Sequence, residues 1–362
     1  MDKPVTGTKK VFMTGNETVA WAALAAGADI MFGYPITPQN EIMHYWTRLG
    51  TKYGRDFLQT EDEISAGFTV CGAIIAGKKA FTATAGPGNT LMQEPFSMAE
   101  AMRLPTVAII QQRGGPSSGT VIYSQQEVTL TTYGGNGEGH RIVYSTATHQ
   151  EIYDYTIKAF NNAWKYRFPT FVLGDGYQAK MREPLEIYDP EARNIEMVIP
   201  SPLVGLPGRI GIEREPQHLC NIYSLEDELY EVVLQLQAEY DRMAPELEEY
   251  QCRECDDAEI LVVSHGVVSR SADDAVRFLR AQGIKAGAFR PITLRPFPGR
   301  ALREILQTGV KKMLIVESAY GQLARLLQQE IYGENVPVET LLMPGVGIID
   351  ADIISKVKSL IH

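Results

Sequence analysis

Between residues 17 and 173 short apolar runs alternate with longer stretches in which apolar residues recur every three or four positions. The runs at 29–33, 57–60, 80–84, 106–111 and 170–173 predict strands, and the stretches at 17–26, 38–49, 64–76 and 91–103 predict helices. Strand and helix in alternation is the sequence form of a parallel sheet covered by helices on both faces. The first ~180 residues are therefore expected to form a doubly wound α/β unit.

From 181 to 201 the pattern dissolves into Pro, Glu and Asp, and 205–211 adds glycines and a proline, which predicts a loop or linker. An acidic amphipathic helix is expected over 224–250, with Leu225, Leu229, Val232, Val233, Leu236 and Tyr240 on one side, either packed across a domain or subunit boundary or lying on the surface. A second α/β pattern then begins at Ala258, with strands expected at 260–264, 285–289, 313–317 and 336–342 and helices at 271–282, 300–307 and 322–331. The implied division is 1–190, a linker with the acidic helix at 191–255, and a smaller domain at 256–362.

Composition narrows the function. With 44% apolar and 22% charged residues in 362, the chain reads as a folded protein of about two domains. A net charge of -10 without a dense Lys/Arg run argues against nucleic acid as a partner. No stretch approaches the ~18 apolar residues of a membrane span, and Met1-Asp2-Lys3-Pro4 lacks an apolar signal core, so a cytoplasmic location and no membrane partner are expected. Of four cysteines only Cys252 and Cys255 form a CxxC; Cys71 and Cys220 lie far away, so free thiols are expected and no metal ligand is assigned.

In open parallel sheets, ligands bind beyond the carboxyl ends of the strands, and here the segments after the strands carry unusual chemistry. Tyr34-Pro35-Ile36-Thr37-Pro38 reads as a helix start, with Thr37 as its cap. Glu61-Asp62-Glu63 puts a carboxylate beside the apolar run 64–76, either as a second cap or as a functional group. Gly86-Pro87-Gly88-Asn89 is a tight turn that lets a ligand approach the backbone, yet Leu91 stands where a dinucleotide fingerprint needs its third glycine. Arg113, at the end of an apolar strand, leads into Gly114-Gly115-Pro116-Ser117-Ser118-Gly119; it could grip a carboxylate with two parallel N–H bonds or serve as a salt-bridge partner.

Taken in order, Tyr34 to Pro38, Glu61 to Glu63, Gly86 to Gly88 with Leu91-Met92-Gln93-Glu94, and Gln112 to Gly119 resemble the motifs of the alpha subunit of 2-oxoacid:ferredoxin oxidoreductases. The second half, with Pro291 to Pro298 and Val316 to Leu323, is similar to that family's transketolase C-terminal-like domain. The resemblance implies a thiamine-diphosphate-binding fold of the pyrimidine-binding type followed by that α/β domain. It implies that Glu63, or Glu61 close by, bonds the aminopyrimidine; that Pro35, Ile36, Gly86, Pro87, Gly88 and Asn89 line the cofactor; and that Thr37 and Arg113 hold the 2-oxoacid carboxylate. Ser117-Ser118-Gly119 stands where the family usually has Ser-Thr-Gly.

The implied activity is coenzyme A-dependent oxidative decarboxylation of a 2-oxoacid, 2-oxoglutarate first with branched-chain, pyruvate and aryl 2-oxoacids left open, and with electrons passing to ferredoxin. Gly174-Asp175-Gly176 imitates the opening of a thiamine diphosphate and magnesium motif, but Asn194 comes too early to complete it. Magnesium is therefore expected on a beta subunit, and iron-sulfur clusters on partner subunits, which can include gamma and ferredoxin-like delta subunits. A second carboxylate on the substrate would need another cation; His140 and Arg141 are candidates by charge, their plain alternative being a solvated loop. The pyrimidine-binding half of a thiamine enzyme that does not use ferredoxin, and a non-catalytic assembly subunit of the same fold, remain alternatives.

Overall fold

The computed structural model describes residues 4–205 and 218–361. Its strands are β1 (Thr8–Thr14), β2 (Ile30–Gly33), β3 (Asp56–Gln59), β4 (Ala80–Thr84), β5 (Val107–Gln112), β6 (Ile142–Ser145), β7 (Thr170–Asp175) and β8 (Arg182–Tyr188). They continue as β9 (Tyr250–Arg253), β10 (Ile260–Val263), β11 (Ala286–Pro291), β12 (Thr293–Arg295), β13 (Lys312–Glu317) and β14 (Val338–Leu342). One sheet has the order β12-β6-β7-β5-β4-β2-β3 and another the order β14-β13-β10-β11-β9. Strands β4, β5 and β7 are buried along their whole length, which is why they read as continuous apolar runs rather than as alternation.

In the first sheet β2 pairs in parallel with both β3 and β4, so the chain leaves β2 to one side and returns to the other. That reversal opens a crevice at the carboxyl ends of β2 and β4, where such sheets place their ligands. The packing below it is dense: Trp46 meets Phe81 edge to face at 4.9 Å, and Phe81 meets Phe160 at 5.7 Å.

Several segments depart from the sequence expectation. The stretch after 181 is not loop throughout: β8 pairs antiparallel with β1, Thr8 opposite Tyr188 and Val11 opposite Leu185. A two-stranded ribbon with one buried face tolerates Pro184 outside while burying Leu185 and Ile187, so its composition mimicked a linker. Tyr250–Arg253, counted with the linker, is the antiparallel edge of the second sheet, which thus has five strands rather than four. The chain also ends in a helix, Asp350–Ile361, whose Ile353 and Val357 join the core around Val268–Ala281. Most of the glycine-rich stretch expected as loop at 205–211, and the opening Met1 to Lys3, fall outside the described residues.

The acidic helix, Glu226–Leu247, buries Tyr240, Met243 and Leu247 against the first sheet's side, with Tyr240 donating to the carbonyl of Arg141 at 2.6 Å. Its first turns leave Leu225, Leu229 and Tyr230 exposed. The two sheets are joined as well: β12 pairs with β6, and Arg290 reaches across to Glu151 at 2.5 Å. Among the described residues no helix is long and apolar enough to cross a membrane.

Candidate active site

The loop after β2 is held from beneath. Asn16 Nδ2 donates to the carbonyl of Pro38 at 2.8 Å, and Gln39 Nε2 donates to that of Tyr34 at 2.9 Å. Thr37 does not cap the following helix. Asn40 N–H bonds the carbonyl of Ile36 in a turn, and the helix begins only at Asn40, with Gln39 in the cap position. The turn leaves Pro35 and Thr37 exposed and Ile36 half-buried.

Asp62, not Glu63, is the N-cap of the helix Glu63–Ile75, its carboxylate accepting from Ser65 N–H at 2.7 Å. Glu63 is the first helical residue, and only 5% of it is exposed. Burial raises its carboxyl above the ordinary carboxylate range, against the smaller opposing pull of its own backbone N–H. Among the described residues no other group donates a hydrogen bond to it. Glu61 stands outside, exposed and bonded to Ser65 Oγ at 2.9 Å.

The turn after β4 fits around these groups only because it is glycine. A β-carbon on Gly88 would lie 2.5 Å from Glu63 Oε1 and 2.3 Å from Thr84 Oγ1, and Thr84 Oγ1 is itself buried without a partner. Gly86 takes φ +53, and a β-carbon there would meet Arg113 Nε at 2.7 Å. Pro87 starts a short helix, Pro87–Leu91. Asn89 corrects the sequence expectation: its side chain is fully buried and turned away from the crevice, donating to Glu127 at 3.1 Å and Thr131 at 3.2 Å, so it supports the turn from below.

Arg113 is 7% exposed, and its guanidinium ties two loops together. Nη1 donates to the carbonyl of Thr37 and Nη2 to that of Ser118, both at 2.8 Å, while Nε is buried and unpartnered. The structure therefore brings Thr37, Glu63, Gly86, Gly88 and Arg113 to one end of the sheet.

His140 and Arg141 are elsewhere. Neither lies in a solvated loop: His140 is buried and stacked on Tyr240 at 4.8 Å, and burial lowers its pKa to about 4. Arg141 is fully buried, paired with Glu100 at 2.5 Å and donating to Gln93 at 2.8 Å and to the carbonyls of Leu130, Thr131 and Gly134. An arginine so fully engaged inside the protein cannot also bind a substrate at the crevice.

Sequence reasoning missed Glu127. Its carboxylate is buried beneath the turn after β4 and the end of β5, and burial pushes it up to about 7. The available signal was the one that marked Glu63, a carboxylate set immediately before an apolar helix start, here Val128–Tyr133. Asp175, in the Gly174-Asp175-Gly176 motif, ends β7 and caps the helix Gly176–Lys180 by accepting from Gln178 N–H at 2.8 Å; burial raises it to about 7. The chain from 121 to 122 packs over it so closely that a β-carbon on Gly176 would sit 2.4 Å from the carbonyl of Val121. Cys252 is exposed on β9, and Cys255 is buried with its thiol on the carbonyl of Ala288 at 3.2 Å.

The second sheet closes on the same end. Gln125 exchanges two 2.9 Å bonds with the backbone of Ser318 and donates to the carbonyl of His265 at 2.7 Å, fastening the loop after Arg113 to the ends of β13 and β10. Leu58 on β3, Ile64 and Phe68 on the helix that Glu63 opens, and Leu91 at the end of the helix Pro87–Leu91 are each 36–49% exposed, an exposed apolar set on the elements that carry the site.

Residues 21–251 match the family model for the thiamine diphosphate-binding domain of pyruvate flavodoxin/ferredoxin oxidoreductases, and 258–349 match core domain II of pyruvate:ferredoxin oxidoreductase. Ketoisovalerate oxidoreductase subunit VorB of Methanothermobacter thermautotrophicus is 38% identical over 85% of this chain and 86% of its own length. The 2-oxoglutarate synthase subunit KorA of Methanocaldococcus jannaschii is 34% identical over 87% and 90%. A solved 2-oxoglutarate:ferredoxin oxidoreductase from Magnetococcus marinus, with 2-oxoglutarate, coenzyme A and succinyl-CoA bound, superposes with a TM-score of 0.86 at 26% identity over 98% of this chain, which spans 65% of that one. A split-gene transketolase at 13% identity and a TM-score of 0.58 shares the fold. With both halves of the chain matched in order and relatives of this identity along most of its length, the protein belongs to the 2-oxoacid:ferredoxin oxidoreductases, as a subunit with a thiamine-diphosphate-binding domain.

Proposed function

We propose that this chain is the alpha-type subunit of an enzyme that oxidatively decarboxylates a 2-oxoacid, with coenzyme A as acyl acceptor and ferredoxin as electron acceptor. The observation that carries the reading is the convergence of Glu63, the bare Gly86 and Gly88, and Arg113 at the reversal between β2 and β4. A carboxyl raised by burial, with no other described residue donating to it and with glycine beneath it, fits the edge of an aminopyrimidine, which offers both a ring nitrogen and an N–H. Glu63 and the Gly86–Gly88 turn would hold that ring, with Pro35 and Ile36 beside it. When bound, thiamine diphosphate supplies the electron sink that lets a 2-oxoacid lose carbon dioxide.

The chain's own residues bind and orient. Glu63 would hold a proton towards the ring that it would face, and burial raises its carboxyl above the ordinary carboxylate range, which favours the protonated form. Arg113 presents its guanidinium to the substrate carboxylate, and the exposed Thr37 hydroxyl adds a donor at the next strand end. The exposed apolar set of Leu58, Ile64, Phe68 and Leu91 fits a beta subunit that brings magnesium and the pyrophosphate ligands. Iron-sulfur clusters would be held by partner subunits. Residues 1–190 would act as the pyrimidine-binding unit and 256–362 as the transketolase C-terminal-like unit, joined by 191–255.

For the substrate, 2-oxoglutarate is our first reading, supported by the likeness to the Magnetococcus enzyme along nearly the whole chain. A branched-chain 2-oxoacid is the second, and one observation favours it: Arg141 and His140 are engaged inside the fold and do not supply a second carboxylate site. The test is the complex reconstituted with its partner subunits, assayed for viologen reduction with coenzyme A against a panel of 2-oxoacids. Coenzyme A-dependent reduction by either acid is expected; no reduction from a complex shown to contain thiamine diphosphate would refute the proposal.

A further inference from the structure

Glu127 stands where three parts of this site meet, while facing none of its open surface. Oε1 accepts from the backbone N–H of Gly86 at 2.8 Å and from Asn89 Nδ2 at 3.1 Å, and Oε2 accepts from the backbone N–H of Arg113 at 2.9 Å. Behind it, Gln112 Oε1 accepts from the N–H of Glu127 at 3.4 Å, and Gln112 Nε2 donates to the carbonyl of Gly174 at 3.1 Å. The carboxylate is thus anchored to β5 and β7 and gathers the ends of β4 and β5. Those ends carry Gly86 and Arg113, whose mutual fit is so close that a β-carbon on the glycine would meet Arg113 Nε.

In its ionised form the carboxylate suits this place because both its oxygens accept and neither donates. A glutamine of the same shape would turn an NH2 group towards one of the three N–H groups. Keeping a carboxylate buried among neutral donors is costly, and a merely structural link between two strand ends could be made without charge.

Resting on the carboxylate-binding role given to Arg113 above, we propose that Glu127 is the positioning residue for that arginine. It fixes the backbone at both strand ends, so that the guanidinium lies against Gly86 with its Nη groups on the carbonyls of Thr37 and Ser118. Affinity for the substrate carboxylate then depends on a residue that never touches substrate.

The test uses the reconstituted complex and four variants: Glu127→Gln, Glu127→Asp, Arg113→Lys and the double variant Glu127→Gln/Arg113→Lys. Glu127→Gln is expected to raise the KM for the 2-oxoacid about tenfold, as loss of a charge-assisted contact would, and to leave the KM for coenzyme A unchanged. It should add less than about twofold in the Arg113→Lys background, because both changes remove one and the same contact. Hydrogen exchange in the cofactor-free complex should quicken over residues 85–90 and 112–114. Glu127→Asp, which keeps two acceptors on a shorter arm, should recover part of the loss. A lower Tm with unchanged KM per assembled complex in both Glu127 variants overturns the proposal and leaves a structural link; full multiplication of the losses in the double variant overturns it too. An unchanged 2-oxoacid KM in Arg113→Lys overturns the parent reading, and this proposal with it, which separates the two failures.

Discussion

Glu63 and Gly88 are fitted to each other: the glycine leaves open the space in which the Glu63 carboxylate lies, 2.5 Å from where a β-carbon would be. The relationship joins two strand ends, since Gly88 follows β4 and Glu63 opens the helix after β3. Neither residue could change alone without disturbing the other.

Gly88→Ala should therefore act on cofactor binding more than on the fold. The new methyl would meet Glu63 Oε1 and Thr84 Oγ1, and only the glutamate end can swing away. We expect a cost of about 1–3 kcal/mol in stability from overpacking, with thiamine diphosphate lost from the reconstituted complex. Calorimetric cofactor titration beside a melting curve checks it; normal cofactor content would show that the carboxylate does not face the ring.

Glu63→Gln should leave the chain folded and the complex assembled while abolishing turnover, because an amide cannot exchange a proton with the ring. Activity in Glu61→Gln should stay near that of the parent, since Glu61 is exposed and bonded to Ser65. Viologen reduction by the two variants in parallel decides between them, and the reverse pattern would move the role to Glu61.

Arg113→Lys should lower kcat/KM for the 2-oxoacid about ten- to a hundredfold, the worth of roughly 1.5–3 kcal/mol for a charge-assisted contact. An ammonium keeps the charge but cannot bridge the carbonyls of Thr37 and Ser118 and still face a carboxylate as a planar fork. Thr37→Val should cost less, because Arg113 bonds the Thr37 carbonyl, which the substitution keeps. Steady-state kinetics with unchanged kcat/KM in both variants would refute the carboxylate role.

Arg141→Gln should fail in stability rather than in substrate choice. It leaves Glu100 buried without its cation and empties the bonds to Gln93 and three carbonyls, so a loss of about 3–5 kcal/mol is expected. Thermal unfolding measures the loss. A changed preference among 2-oxoacids in a complex that still assembles would instead return Arg141 to the site.

Asp175 gives a pH signature. Burial raises its folded pKa to about 7 from an ordinary value of 3.8, so between those values the folded state holds a proton that the unfolded state releases. The stability it contributes is full below about pH 4 and declines as pH rises towards 7. Asp175→Asn cannot titrate, so its stability relative to the parent should improve across that window. Paired melting curves from pH 4 to 8 check the slope; a constant difference would show that Asp175 stays ionised throughout.

The sequence by itself determined the sheet-forming runs and the chemistry at their ends. Buried parallel strands such as β4 and β5 announce themselves because both faces must be apolar, and the residues that follow them are polar because they leave the core. Glu63 and Arg113 were legible for that reason, each a charge placed where an apolar element stops or starts. What lies on one face only was obscure: β8 hid behind Pro184 and its glutamates, and β9 behind a fully exposed surface.

Tertiary structure alone decided which charges reach the candidate site. Arg113 and Arg141 look alike in sequence, and so do Glu61 and Glu63, because nothing local states what will pack around a side chain. Folding brings Glu100, Gln93 and three carbonyls around Arg141 and so consumes it, while it leaves Arg113 Nε unpartnered above Gly86. Likewise Asn89 turned inward and Glu127 came to hold two strand ends, through contacts 38 to 42 positions apart for the one and 14 to 41 for the other. Hydrogen bonds over such separations form only when the sheet is assembled, so no run of neighbouring residues could have encoded them visibly.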